Sequence, residues 1–180
     1  MYRLQRYKGK IVRDYTGEER AKARQNNSQK PLRPIPTEAK IIPESYSHNI
    51  EILLDLHRQH HVRAIFMTQP TLWKENMDPA LEGFLTSNPG VLPVRYPPGA
   101  MDELMERYND VMRTKVARAG PLFHLLDLSR LLPKDTTTFY DDCHFNNSGH
   151  ARIAEILQRT LVNSVLPPLL VDRDNRSAAS

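Results

Sequence analysis

The chain has 180 residues, 39% of them hydrophobic, and carries 25 Lys and Arg against 21 Asp and Glu for a net charge of +4. That length allows one domain with a core of its own. No apolar run approaches the ~20 residues that a membrane-spanning helix requires, and a single cysteine, Cys143, excludes an internal disulfide and suits a reducing compartment.

Charge is concentrated at the start: residues 1–40 hold 11 Lys and Arg against 4 Asp and Glu, and the remainder 14 against 17. A basic arm can touch nucleic acid or an anionic surface. Here its aromatic residues are only Tyr2, Tyr7 and Tyr15, and no nucleic-acid motif is present, so a solvated segment is the expectation. MYRLQRYKGK lacks the apolar stretch of a secretory leader, which predicts a cytoplasmic protein for the chain as it stands. Residues 1–44 read as a basic, proline-containing irregular segment, with a short helix expected near 18–24.

Regular periodicity begins at SYSHNIEILLDLHRQH, where Ile50, Leu53, Leu54 and His57 fall at helical spacing and Ser45 or Ser47 can cap. Residues 62–67 follow as a nearly continuous apolar run, the pattern of a strand buried on both faces. Thr68-Gln69-Pro70 ends that strand, and the loop behind it carries the only tryptophan, Trp73. A short helix is expected over 78–85 and a turn at Asn88-Pro89-Gly90. The strongest helix signal is PPGAMDELMERYNDVMRTKVARAG: Met101, Leu104, Met105, Tyr108, Val111, Met112 and Val116 share one face, and Gly120 closes it. The methionines fit core packing. PLFHLL predicts a second strand, followed by Asp127 and a helical turn over 128–132. The last helix is SGHARIAEILQRTLVNSVL, with Asn146 or Asn147 as its cap and Ile153, Ile156, Leu157 and Leu161 on its buried face. Pro167-Pro168 stops it, and residues 167–180 read as a disordered tail. The order helix–strand–helix–strand–loop–helix implies an α/β fold with parallel strands over residues 45–166. The loops leaving the strand ends, with Thr68, Gln69, Asp127 and the Asp141–His144 loop, would then share one edge.

The loop FYDDCHFNNSGH concentrates the chemistry. Asp141 and His144 are spaced so that the carboxylate can accept the imidazole Nδ1–H, which leaves Nε2 free to take a proton from a hydroxyl. By spacing alone the better description is a loop tied down by its own hydrogen bond, because D-x-x-H occurs often by chance. Asp141, Asp142, Cys143, His144 and His150 include metal-ligand types, but no CxxC or HExxH spacing accompanies them, so no metal is expected. Cys143 reads as a small buried residue, Asp142 as a loop or surface carboxylate, and His150 as a solvated or capping group in the first turn of the last helix.

The D-x-x-H-x-N-x-x-G-H segment opening a final amphipathic helix resembles the last block of the SGNH, or GDSL-like, hydrolases. NIEILLDLHRQHHVRAIFMTQPTLW and GAMDELMERYNDVMRTKVARAG-PLFHLLDLS are similar to the helix–strand units that precede that block, so the resemblance spans roughly residues 45–165. It implies a flavodoxin-like three-layer α/β/α fold, N-terminally incomplete, and hydrolysis of esters without a cofactor. His144 would be the general base and then general acid, and Asp141 its orienting acid. Gln69 and Trp73, behind the first strand, are expected to line the substrate pocket. Acyl esters of lipids, acetylated sugars and small esters all fit as substrates. The family's Gly-Asp-Ser and Gly-x-Asn-Asp blocks are not found; Tyr108-Asn109-Asp110 lies inside the long helix and lacks the glycine. Of the nine serines, Ser45, Ser47 and Ser129 lie near element ends, none in the strand–turn–helix context of a nucleophile. The expectation is therefore the Asp–His half of a triad, inactive alone, which needs a missing N-terminal part or a second copy. The competing expectation is a non-catalytic binding or assembly domain with a basic arm.

Overall fold

The computed structural model describes residues 25, 29–37, 42–82, 85 and 94–165. The expected helix near 18–24, the turn at 88–90, the tail over 167–180 and most of the basic segment lie outside them. Helix α1 (Glu44–Gln59) leads into strand β1 (Ala64–Met67), then the short α2 (Pro79–Glu82) and the long α3 (Pro98–Ala117). Strand β2 (Phe123–Leu126), the turn α4 (Leu128–Leu131) and α5 (Asn147–Thr160) complete the order, and a π-helical turn, Leu161–Val165, extends α5. The two strands run parallel, with Ala64 opposite Phe123 and Met67 opposite Leu126. This is a mixed α/β chain with a small parallel sheet.

Three apolar clusters hold the layers together. Ile50 and Leu54 of α1 meet Val116 of α3 and Phe123 of β2, with Ala64 and Phe66 of β1 against them. On the opposite face of the sheet Leu126, Leu128 and Leu132 pack against Ile65 and against Ile153, Ile156 and Leu157 of α5. The split follows from the two-residue side-chain period of a strand: Ala64 and Phe66 point one way, Ile65 the other. The third cluster surrounds the loop behind β1, where Leu72, Trp73 and Met77 meet Met101 of α3, Phe139 and Ile35. The methionine stripe of α3 thus serves two cores, Met101 and Met105 at one end and Met112 at the other. Ile35 also places part of the proline-containing segment in the core, where Arg33 N–H donates to the Arg95 carbonyl at 2.8 Å.

Several expectations need correction. Neither Ser45 nor Ser47 caps α1; both lie inside a helix that starts at Glu44, with Pro43 at the cap and no side-chain cap bond. The strand is only partly buried: helices pack on both faces of the sheet, yet Ala64, Ile65 and Phe66 are half-buried and Met67 is 45% exposed, and among the described residues only β2 pairs with it. Within the helix expected over 78–85 the described residues form one turn, Pro79–Glu82, with Asp78 Oδ1 accepting the Ala80 N–H at 2.8 Å. Helix α3 is capped at Arg118, and Gly120 makes the turn beyond it with φ 98°, a conformation side chains resist. The expected asparagine cap of α5 is present, and of the two candidates it is Asn146.

Candidate functional site

The loop between α4 and α5 closes on itself. Phe139 and Phe145 form an antiparallel bridge, Tyr140 N–H donates to the His144 carbonyl at 3.1 Å, and Asn146 N–H to the Thr138 carbonyl at 3.0 Å. Its base is welded to α5. Asn146 Oδ1 accepts the Gly149 N–H at 2.9 Å, and its amide donates to the Thr136 carbonyl at 2.7 Å. Gly149 is required by proximity: a Cβ there would stand 2.2 Å from the Thr138 carbonyl oxygen.

Asp141 and His144 occupy the tip. Asp141 is buried, and its Oδ1 accepts the backbone N–H groups of Cys143 at 3.1 Å and His144 at 2.8 Å. His144 Nδ1 lies 3.0 and 2.9 Å from the two carboxylate oxygens. An ionised carboxylate only accepts, so the proton of neutral His144 belongs on Nδ1 and its Nε2 becomes an acceptor. The imidazole is solvent-exposed, and Nε2 makes no hydrogen bond among the described residues. Tyr140 stacks on the same ring, centroids 5.7 Å apart and planes 14° from parallel. The result is an oriented base with an open nitrogen, able to take a proton from a hydroxyl and return it. No serine among the described residues bonds to it; the Ser129 hydroxyl is committed to Arg113 at 2.6 Å and Asp127 at 3.3 Å.

The neighbours take other roles. Asp142 is not a surface carboxylate: it is fully buried, and its carbonyl accepts the Leu72 N–H at 2.8 Å, joining this loop to the one behind β1. Cys143 is half-buried. Burial, then the Asp141 and Asp142 charges, pushes its thiol up to about 11, so it is a poor nucleophile at neutral pH. His150 is exposed on the first turn of α5 and meets Phe145 edge-on. Donor atoms of Asp141, Cys143 and His144 lie within 4.8 Å of one another. A metal there would have to share a carboxylate that already holds three N–H groups. The donor set fits a hydrogen-bonded pair better than a metal.

Gln69 and Trp73 lie on the loop that Leu72 ties to Asp142. Gln69 is exposed, with its amide folded back on the Pro70 carbonyl at 2.9 Å. Trp73 is only 7% exposed, within the cluster that includes Phe139, and its indole N–H has no partner among the described residues.

Two positioning groups escape the sequence reading. Asn109 is buried and clamps the Gln69 backbone from both sides, accepting its N–H at 2.9 Å and donating to its carbonyl at 3.0 Å. Arg113 spends all five N–H groups, on Asp127, Glu106, Asp110 and Ser129. Thr68 adds a hydroxyl donated to Asp127 at 2.9 Å and accepts the Ser129 N–H at 3.0 Å. Together they bolt α3 to the ends of both strands. The available signal was a polar residue beside the apolar stripe of α3 (Asn109, four positions after Met105) and an arginine one turn later.

No family model, no curated protein and no solved structure matches this chain.

Proposed function

We propose that this chain supplies the acid and base of a Ser-His-Asp triad of SGNH type, in a flavodoxin-like three-layer α/β/α arrangement that hydrolyses esters. The observation carrying this reading is the Asp141–His144 pair: a buried carboxylate that accepts three N–H groups, Nδ1–H among them, and an exposed imidazole whose Nε2 has no hydrogen bond among the described residues. His144 takes the nucleophile's proton and delivers it to the leaving alcohol, while Asp141 holds the tautomer and stabilises the imidazolium. The serine and the oxyanion donors come from outside the described residues, and Gln69 borders the acyl or sugar portion of the substrate. No cofactor enters the reaction.

The test is to read the frame upstream of Met1 and express whatever extends it. The expected result is a Gly-Asp-Ser-type block after an apolar strand, a serine that a fluorophosphonate labels, and ester hydrolysis lost in His144→Ala. For the 180-residue chain alone the expectation is no hydrolysis of an activated aryl ester above background. Hydrolysis by an extended protein that survives His144→Ala overturns the assignment. A second reading, an assembly domain without chemistry of its own, is favoured by one observation, a flank of β1 that no strand among the described residues pairs with.

A further inference from the structure

Asp141, Cys143 and His144 bring three kinds of metal donor to one point of the loop. A carboxylate oxygen, the thiol sulfur and a ring nitrogen all lie within 4.8 Å of one another. Side chains of adjacent residues usually diverge, yet Cys143 Sγ stands 3.8 Å from His144 Nδ1. Sulfur and nitrogen ligands on a tetrahedral zinc ion are about 3.6 Å apart. The 2.9 Å between Nδ1 and Asp141 Oδ2 has to open only to about 3.3 Å, the spacing of a nitrogen and an oxygen ligand.

One proton separates the hydrogen-bonded pair from a metal site. Asp141 Oδ1 carries the backbone N–H groups of Cys143 and His144, which hold the loop in shape. Oδ2 has only the His144 Nδ1–H as a partner among the described residues. An ion that replaces this proton gains Oδ2 and Nδ1 together and leaves both backbone bonds in place. The thiol supplies the third donor. The charges of Asp141 and Asp142 that, with burial, oppose a bare thiolate also attract a dication, and a coordinating thiol gives up its proton. Exposure rises from buried Asp141 through half-buried Cys143 to the solvent-exposed imidazole. The ion thus has a way in, and water can complete its coordination.

We infer that the tip of this loop binds one divalent cation of the zinc type through Asp141 Oδ2, Cys143 Sγ and His144 Nδ1. Thiolate with imidazole selects zinc over magnesium and calcium, which take oxygen ligands. The protons balance: the thiol's is released, and the ring's passes by way of solvent from Nδ1 to Nε2. Nε2 then donates where it accepted. Ion and general base are therefore alternatives, and the Asp141–His144 pair is the state without the ion. The binding rests on the three donors alone. Its consequence, that zinc silences the base, rests on the function proposed above.

Cobalt titration of the full chain, kept reduced with a phosphine, tests the site. A sulfur-to-cobalt charge-transfer band can come only from Cys143, the single cysteine. The expected band saturates at one ion per chain, is bleached by equimolar zinc, which binds such sites more tightly, and is absent from Cys143→Ser. His144→Gln and Asp141→Asn each weaken cobalt binding at least about tenfold, and His150→Gln leaves it unchanged. Circular dichroism checks that the variants fold, and His144→Gln, at an exposed side chain, decides the matter if Asp141→Asn does not. Nitrogen-15 spectra of the imidazole read the consequence separately: zinc moves the His144 ring proton from Nδ1 to Nε2. No band, a band that saturates at half an ion per chain, equal affinity in His144→Gln, or a ring proton that stays on Nδ1 with zinc bound overturns the inference. Ester hydrolysis that fails to appear in an extended protein bears on the proposed function alone, since these spectra read the site without turnover.

Discussion

The cluster around Arg113 and the loop around Asp141 are both built from carboxylates and N–H donors, and they differ in what remains when the bonds are counted. Arg113 has no N–H left, and Asp127 is gripped from three sides by Arg113, Thr68 and Ser129. Asp141 is gripped as firmly, but what it holds, His144, is exposed and has no hydrogen bond on Nε2 among the described residues. A network that closes on itself fixes structure; one that ends in an exposed acceptor can exchange a proton. The two are connected, since the strand-end loop that Asn109 clamps at Gln69 also bonds Asp142 through Leu72.

This contrast sets an order of effects. Arg113→Met leaves Asp127, Glu106 and Asp110 without their shared cation and should lower stability by about 3 kcal/mol in urea unfolding; a change below about 1 kcal/mol would mean that the network is not a structural bolt. Gly149→Ala forces a methyl group onto the Thr138 carbonyl and should cost about 2 kcal/mol, with the Asp141 loop shifted in the NMR spectrum and the Arg113 cluster untouched. Acid should attack the closed network. Burial alone would raise the Asp127 carboxyl, but hydrogen bonds from Arg113 and Thr68 hold it below its ordinary value, and Glu106 is lowered against its burial mainly by Arg113, with Ser129 and Asn109. Depressed carboxyls stabilise above their unfolded values, near 4, and that contribution is lost as pH falls through the lower folded ones. The urea midpoint should therefore drop on acidification below about pH 4, and less steeply in Arg113→Met. The smallest stability effect belongs to His144→Gln: at an exposed side chain it should stay within about 0.5 kcal/mol of the parent, and a larger loss would make the loop a structural element.

What the sequence disclosed follows this division. Helix and strand placement was legible because Ile50 and Leu54, or Met101 to Val116, repeat with the period of the element that buries them. The Asp141–His144 pair was legible because its partners are three residues apart. Asn109 and Arg113 were not, since their partners Gln69 and Asp127 lie 40 and 14 residues away. Burial of Asp142 was hidden for the same reason: only the fold brings Leu72 to its carbonyl. The apolar run at 62–67 has the same letters whether one strand pairs with it or two, and among the described residues only β2 does.

The Leu72–Asp142 bond gives the loop a clock of its own. An amide proton tied across two loops exchanges with solvent only when they part, so the Leu72 N–H in deuterium oxide measures how often the segment bearing His144 lets go. If that exchange matches the slowest amides of β2, the imidazole is delivered by a rigid frame; if it is orders of magnitude faster, the loop opens as a local unit while the sheet beneath it stays shut.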